Sequence, residues 1–248
     1  MDEFIKMARE PNPSCILPDN LDTPVWRYMD LDKFQALLNE KALYLCRADH
    51  LQDRFEGTYS HHQIIEMEKW FKEIDEPHMI DSERLRRQKD RLKTYISCWC
   101  ISECDLDLMW KGYVRNPPGI AIKSSVRRLQ RICDNAVEYW PLDISMVKYY
   151  DQAGGQNISY FGTPTNFLYK DLHFKLDNEL RIIHYPNLTG PTPAHVFLKI
   201  DLIDLIEQIV FQPRVKESSL RFVKKTLDDM GLEHIPLLAS RDDRDLIK

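Results

Sequence analysis

Three short segments set a polar side chain among bulky neighbours in strand-like sequence: Trp26-Arg27-Tyr28, Ser97-Cys98-Trp99 and Asn178-Glu179-Leu180-Arg181. That is the pattern the floor of a cleft produces. Read as one strand, Phe174 to Ile183 puts Lys175, Asp177, Glu179 and Arg181 on one side and Leu176, Leu180 and Ile182 on the other. A core-facing side is excluded on this reading, because each unpaired buried charge costs several kcal/mol or neutralises itself. Two alternatives stay open: an outer sheet face carrying two salt bridges, or an acidic active-site strand with Glu179 as its working carboxylate. Arg27 shares a side with Val25 and Met29, so it is only partly solvated and its guanidinium wants an anion. Ser97 shares a side with Tyr95, Trp99 and Ile101. Each also has a plain structural use: Arg27 paired with Asp30 or Asp32, Ser97 bonded to backbone, Glu179 paired with a lysine across the strand.

The loop Arg47 to Gly57 is a fourth candidate. Its Asp53-Arg54 pair, Phe55 and Gly57 suggest a fixed turn that docks one aromatic ring and holds charges near the sheet edge. Glu56 and Glu179 would form a hydrolase's carboxylate pair only if the fold brings them together. Met109-Trp110-Lys111-Gly112-Tyr113 reads as the end of a core helix closed by Gly112.

The elements that must position these residues follow from apolar spacing. Strands are expected at Val25–Met29, Leu43–Cys46, Tyr95–Ile101, Gly119–Ile122, Ile144–Tyr150, Val196–Ile200, Ile209–Phe211 and Ile235–Leu238. Asp30 caps a helix that buries Phe34, Leu37 and Leu38. A second helix carries Ile64, Ile65, Met67, Trp70, Phe71 and Ile74, a stripe apolar enough to require a large packing partner. Asp81 to Lys93 is a basic helix with Arg84, Arg87 and Arg91 on a common side, either a solvated face or a contact for a phosphate-bearing ligand or nucleic acid. Further helices are expected at Leu106–Tyr113, Val126–Cys133, Leu202–Glu207 and Lys216–Met230, and a long loop at Gln152 to Thr165. The first 20 residues, with Pro11, Pro13 and Pro18, read as an extended leader that packs late or not at all. The sum is an α+β fold: one domain over 21–248 with a mixed central sheet, flanking helices and a helical insertion at about 58–93.

At 248 residues with 43% hydrophobic content the chain can build a real core, and its net charge of −5 offers no broad attraction for nucleic acid or anionic lipid. No apolar run reaches the roughly 20 residues a membrane helix needs, and residues 1–15 lack the order of a secretory signal, so a cytoplasmic protein with no membrane partner is expected. The six cysteines, at positions 15, 46, 98, 100, 104 and 133, lack the spacing of a disulfide scaffold or a zinc site. Reduced thiols and no bound metal are the expectation.

Together, Trp26-Arg27-Tyr28, Asp53-Arg54-Phe55-Glu56-Gly57, Ser97-Cys98-Trp99, Met109-Trp110-Lys111-Gly112-Tyr113 before Gly119-Ile120-Ala121-Ile122, and Asn178-Glu179-Leu180-Arg181 resemble a bacterial family catalogued only as a domain of unknown function, over about residues 25 to 240. Arg54 stands where that family commonly has proline. A weaker resemblance is to ADP-ribosyltransferases, in which an early-strand Arg or His, a middle-strand Ser or Tyr and a late-strand Glu converge on NAD. Arg27, Ser97 and Glu179 occur in that order, with Asp177 where the superfamily often has Gln or Glu.

That second resemblance implies an ADP-ribosyltransferase-like sheet, NAD as substrate and a protein or nucleic-acid acceptor. Glu179 would stabilise the positive charge left on the ribose as nicotinamide departs. Arg27 would grip the dinucleotide, Ser97 would orient the carboxylate, and Tyr28 and Trp99 would flank the nicotinamide. No glycine-rich dinucleotide loop accompanies them, since Gly154-Gly155 lacks the flanking fingerprint. The first functional expectation is therefore an NAD-consuming transferase or glycohydrolase of bacterial defence or toxin type. The alternative is a non-catalytic module that recognises a nucleotide or a partner.

Overall fold

The computed structural model describes residues 12–53, 55–139, 141–151, 164–186 and 190–240. The expectations for Arg54, for residues 1–11 of the leader and for most of the loop beginning at Gln152 lie outside these residues. The strands are β1 (Pro24–Asp30), β2 (Ala42–Arg47), β3 (Tyr95–Ile101), β4 (Gly119–Ser125), β5 (Leu142–Met146), β6 (Lys148–Tyr150), β7 (Tyr169–Asp171), β8 (Glu179–His184), β9 (His195–Lys199), β10 (Gln208–Phe211) and β11 (Leu237–Ala239). The helices are α1 (Leu31–Glu40), α2 (His61–Glu73), α3 (Met79–Lys93), α4 (Asp107–Tyr113), α5 (Val126–Asn135), α6 (Leu202–Leu205) and α7 (Glu217–Asp229). Among the described residues nine strands form a mixed central sheet flanked by helices, an α+β fold.

The sheet forks at β3. β8 runs antiparallel along one edge of β3 from Tyr95 to Cys100, and β5 pairs with β8 beyond it. The other edge of β3 is shared. β1 takes its end, Val25 opposite Ile101 and Trp26 opposite Cys100, while β2 takes its start, Cys46 opposite Ile96 and Arg47 opposite Tyr95. From there β1 leads into β4, β10 and β11, and β2 leads into β9. The β10–α7–β11 close gives a parallel pair. Between the diverging β1 and β2 lies a gap that backbone pairing does not fill.

One face of the sheet is covered by α1, α5, α6 and α7. Val25, Met29, Leu43, Leu45, Trp99, Ile122, Leu180 and Ile182 pack there against Phe34, Leu38, Leu129, Leu205 and Val223, all nearly water-free. The opposite face is covered in pieces. Trp26, Tyr28, Ala121 and Val210 meet Met109 and Trp110 of α4, and Ile96 and Ile183 meet Ala48, Phe167 and Leu168. Tyr28 sits edge-on to Trp110 at 4.8 Å, and its hydroxyl accepts a hydrogen bond from the Leu106 N–H.

Several expectations change here. Leu172–Asp177 is a 3-10 helix rather than the first half of a strand, ended by Asn178 in the left-handed region at φ 42°. Asparagine tolerates that conformation, and it resets the side-chain alternation, so β8 begins only at Glu179. Glu179 and Arg181 are 4% and 1% exposed, so the excluded buried face is the one they occupy. Asp30 stands at the N-cap of α1 without capping it, because its carboxylate accepts from the Arg115 and Asn116 N–H groups instead. On α2 the apolar stripe has no large partner among the described residues: Ile65, Trp70 and Ile74 are about half exposed. Residues 12–20 do pack, since Ile16 pairs with Ser145 and Met146 of β5 and Leu17 joins the main core. The stretch expected as one strand from Ile144 breaks into β5 and β6, and β6 pairs with β7 in a separate small sheet.

Candidate functional site

The densest chemistry lies on the pieced face, where β8 presents Glu179 and Arg181 beside Cys100 and Cys98 of β3. Arg181 holds Glu56 in a two-pronged grip, Nη1 to Oε1 at 2.6 Å and Nη2 to Oε2 at 3.0 Å. Its Nε donates to Glu179 Oε2 at 2.7 Å, and Nη1 also reaches the Phe167 carbonyl. The other Glu179 oxygen accepts from Lys170 Nζ at 2.5 Å, and Lys170 also bonds Asp177 at 2.9 Å. The Glu179 N–H donates to the Tyr149 hydroxyl at 2.8 Å.

Each part of this cluster has a local cause. Gly57, at φ 69°, turns the loop so tightly that a Cβ there would lie 2.2 Å from Phe167 Cε1. Only glycine lets the turn lie flat on that ring and deliver Glu56 to Arg181. Burial alone would raise the Glu179 carboxyl; Arg181 and Lys170 overcome it and hold the group at about 2. Burial likewise raises the Tyr113 phenol and the Cys98 thiol, and the Glu179 charge adds to both shifts. Glu179 is thus held ionised, whereas burial outweighs Arg181 at Glu56 and raises its carboxyl, and the cluster is saturated. Both oxygens of each buried carboxylate are hydrogen-bonded, which offsets much of the desolvation cost.

Arg27 is placed differently. Its side chain lies in the fork between β1 and β2 and bridges it: Nη1 donates to Ser97 Oγ at 2.7 Å and Nη2 to the Tyr44 carbonyl at 2.8 Å. Trp99 stands beside it, 5.8 Å from the guanidinium carbon to the ring centroid, and donates its indole N–H to the same Ser97 oxygen at 3.2 Å. Among the described residues no carboxylate lies within ion-pair distance, and neither Asp30 nor Asp32 is its partner. Burial pulls its pKa down to about 10, with Cys98, Tyr44 and Cys46 pulling the other way.

The sequence-derived trio therefore divides. Arg27 and Ser97 touch; Glu179 does not join them. Ser97 lies opposite Ile182 in the β3–β8 register and Cys100 lies opposite Glu179, so the serine hydroxyl and the Glu179 carboxylate leave opposite sides of the sheet. Ser97 binds Arg27 and Trp99, and the cations Arg181 and Lys170 orient Glu179. Tyr28 and Trp99 also belong to opposite faces, in different packing clusters, and do not form two walls around one ring. Glu56 and Glu179 do come together, but with Arg181 between them.

The sequence does not single out Lys170, Tyr149 or Tyr113: Tyr113 falls in the Met109–Tyr113 segment, Tyr149 in the expected strand from Ile144 to Tyr150, and Lys170 has no signal beyond its type. On α3, Arg87 stacks over the Tyr59 ring at 4.2 Å and is buried, whereas Arg84 pairs with Glu68 and Asp81. Two cavities lie away from the trio. One, of about 150 Å³, is lined by Trp26, Cys104, Asp105 and Lys123; the other, of about 410 Å³, by Asp22, Arg127, Arg128 and Arg131. No group of His, Cys, Asp and Glu able to hold a metal ion occurs among the described residues. No described helix is long and apolar enough to cross a membrane.

No family model matches the chain, and neither the curated proteins nor the solved structures include a match.

Proposed function

We propose that the chain is a binding module for a small phosphate-bearing molecule of the nucleotide class, with Arg27 as its anion contact. The observation that carries this reading is a partly buried guanidinium, lowered in pKa by burial, whose hydrogen bonds among the described residues go only to neutral oxygens. A cation in that setting gains most from an anion supplied from outside. Glu179 argues for binding over NAD consumption. An oxocarbenium ion is stabilised by a carboxylate whose charge faces it, and the Glu179 charge is already spent on Arg181 and Lys170.

Calorimetric titration of the full chain with pyrophosphate, ADP, ATP and NAD tests the proposal. At least one is expected to bind, and Arg27→Met should weaken it by about 10- to 100-fold, the worth of one charge-assisted hydrogen-bonding group. Binding that is indifferent to Arg27, or no binding across the panel, overturns the reading. Release of nicotinamide from NAD that disappears in Glu179→Gln would put the enzymatic reading in its place.

A further inference from the structure

A strip of the pieced face is left uncovered beside the fork. β2 pairs with β9 so that Tyr44 stands directly opposite Phe197 and Cys46 opposite His195, with all four side chains on that face. Leu43 and Leu45 point the other way into the core, as does Leu198. Tyr44 is 39% and Phe197 36% exposed. Tyr44 stacks on His195 at 5.0 Å and 29°, and Phe197 stands against both rings, 5.9 Å from Tyr44 and 5.0 Å from His195. Three rings in mutual contact on two paired strands make a fixed platform rather than a scatter of surface side chains. Arg27 reaches the same strand from the fork, because the carbonyl that accepts from its Nη2 is the backbone carbonyl of Tyr44.

We infer that the Tyr44–His195–Phe197 platform receives the flat heteroaromatic ring of the ligand whose phosphate Arg27 holds, so that the ligand is a nucleotide with its base stacked on β2 and β9. This inference rests on the anion-binding reading above and adds a second half to the site. Every base has a π-face, and exposed aromatic rings next to a cation suit a molecule that is aromatic at one end and anionic at the other. An added peptide strand fits worse. The outer edge of β9 is already engaged where the Tyr139 hydroxyl donates to the Phe197 carbonyl at 2.9 Å, and a strand adding there needs such acceptors free. Burial and the neighbouring Cys46 raise the Tyr44 phenol to about 12, so the ring is neutral near pH 7 and does not repel a phosphate.

The two halves separate experimentally, because pyrophosphate needs only the cation and ADP uses both. Calorimetry on wild type, Tyr44→Leu and Phe197→Leu with these two ligands is the test. The leucine variants keep the Tyr44-position carbonyl, and circular dichroism confirms that they stay folded. ADP is expected to bind wild type at least about 10-fold tighter than pyrophosphate, and each variant should lose about 10- to 100-fold for ADP with no change for pyrophosphate. Equal affinities for the two ligands, or ADP binding untouched by both leucine variants, overturns the platform and leaves the Arg27 reading standing. Failure of wild type to bind either ligand overturns the platform, and failure across pyrophosphate, ADP, ATP and NAD overturns both.

Discussion

Arg181 and Arg27 lie on neighbouring parts of one sheet and do opposite things. Arg181 is 1% exposed and engages two carboxylates and a carbonyl, so little donor capacity remains. It ties the loop at Glu56 and the 3-10 turn at Phe167 to β8. Arg27 bridges a gap with two bonds to neutral oxygens and meets no anion among the described residues. A buried charge with all its partners in the chain is part of the scaffold, and on the reading proposed above a charge with no anion beside it is where a ligand binds.

Of the two arginines, Arg181 should be the costlier to remove. Arg181→Met leaves Glu56 and Glu179 buried side by side without the cation between them, and breaking such a cluster from one side costs about 3–5 kcal/mol. Urea unfolding followed by tryptophan fluorescence should show that loss. An unchanged midpoint would mean that the cluster does not hold the fold. Replacing Glu56 as well, in Glu56→Leu/Arg181→Met, should recover part of the loss, because one of the stranded charges is then gone.

Glu179→Gln probes the same cluster through pH. Its carboxyl is held at about 2 in the folded chain, against roughly 4.3 for an unperturbed glutamate. A folded pKa below the unfolded one gives stability that is fully present above the unfolded value and drains away as pH falls through the folded one. Wild type should therefore lose stability more steeply than Glu179→Gln between about pH 4 and pH 2. Parallel acid limbs in urea unfolding would show that Glu179 is not tied as described. At neutral pH the variant should keep its ADP affinity, since the carboxylate does not reach Arg27.

How much of this was legible in the sequence follows from what each signal depends on. Strand and helix positions came from local periodicity, and β1, α1, β3 and α5 emerge close to where apolar spacing puts them. Alternation across Phe174 to Ile183 misled because one residue, Asn178, breaks the period, and nothing in composition marks a left-handed asparagine there. The rule against buried charge failed for a different reason. It holds for unpaired charges, and Glu56 is 125 positions from Arg181, a separation over which sequence gives no pairing signal. Arg27 was readable as a guanidinium in apolar company, but its place in a fork between strands is a property of the sheet's topology. Tyr44 and Phe197 carried no signal at all: each looks like an ordinary strand aromatic until register sets them opposite one another.

Arg27 should be far cheaper to lose. Arg27→Met removes the same residue type as Arg181→Met, yet should cost only about 1 kcal/mol of stability. The difference lies in what each change leaves behind. Loss of Arg181 leaves Glu56 without a cation and Glu179 with Lys170 alone, both where water hardly reaches. Loss of Arg27 frees the Tyr44 carbonyl, which belongs to a residue 39% exposed and can take water instead, and the Ser97 hydroxyl, which still accepts from the Trp99 indole at 3.2 Å. Methionine also keeps an apolar stem to fill the fork beside Trp99. Chemical denaturation of the two single variants under identical conditions compares them directly. If Arg27→Met proves as damaging as Arg181→Met, the fork is a structural joint of the sheet, and the case for an outside anion there is lost.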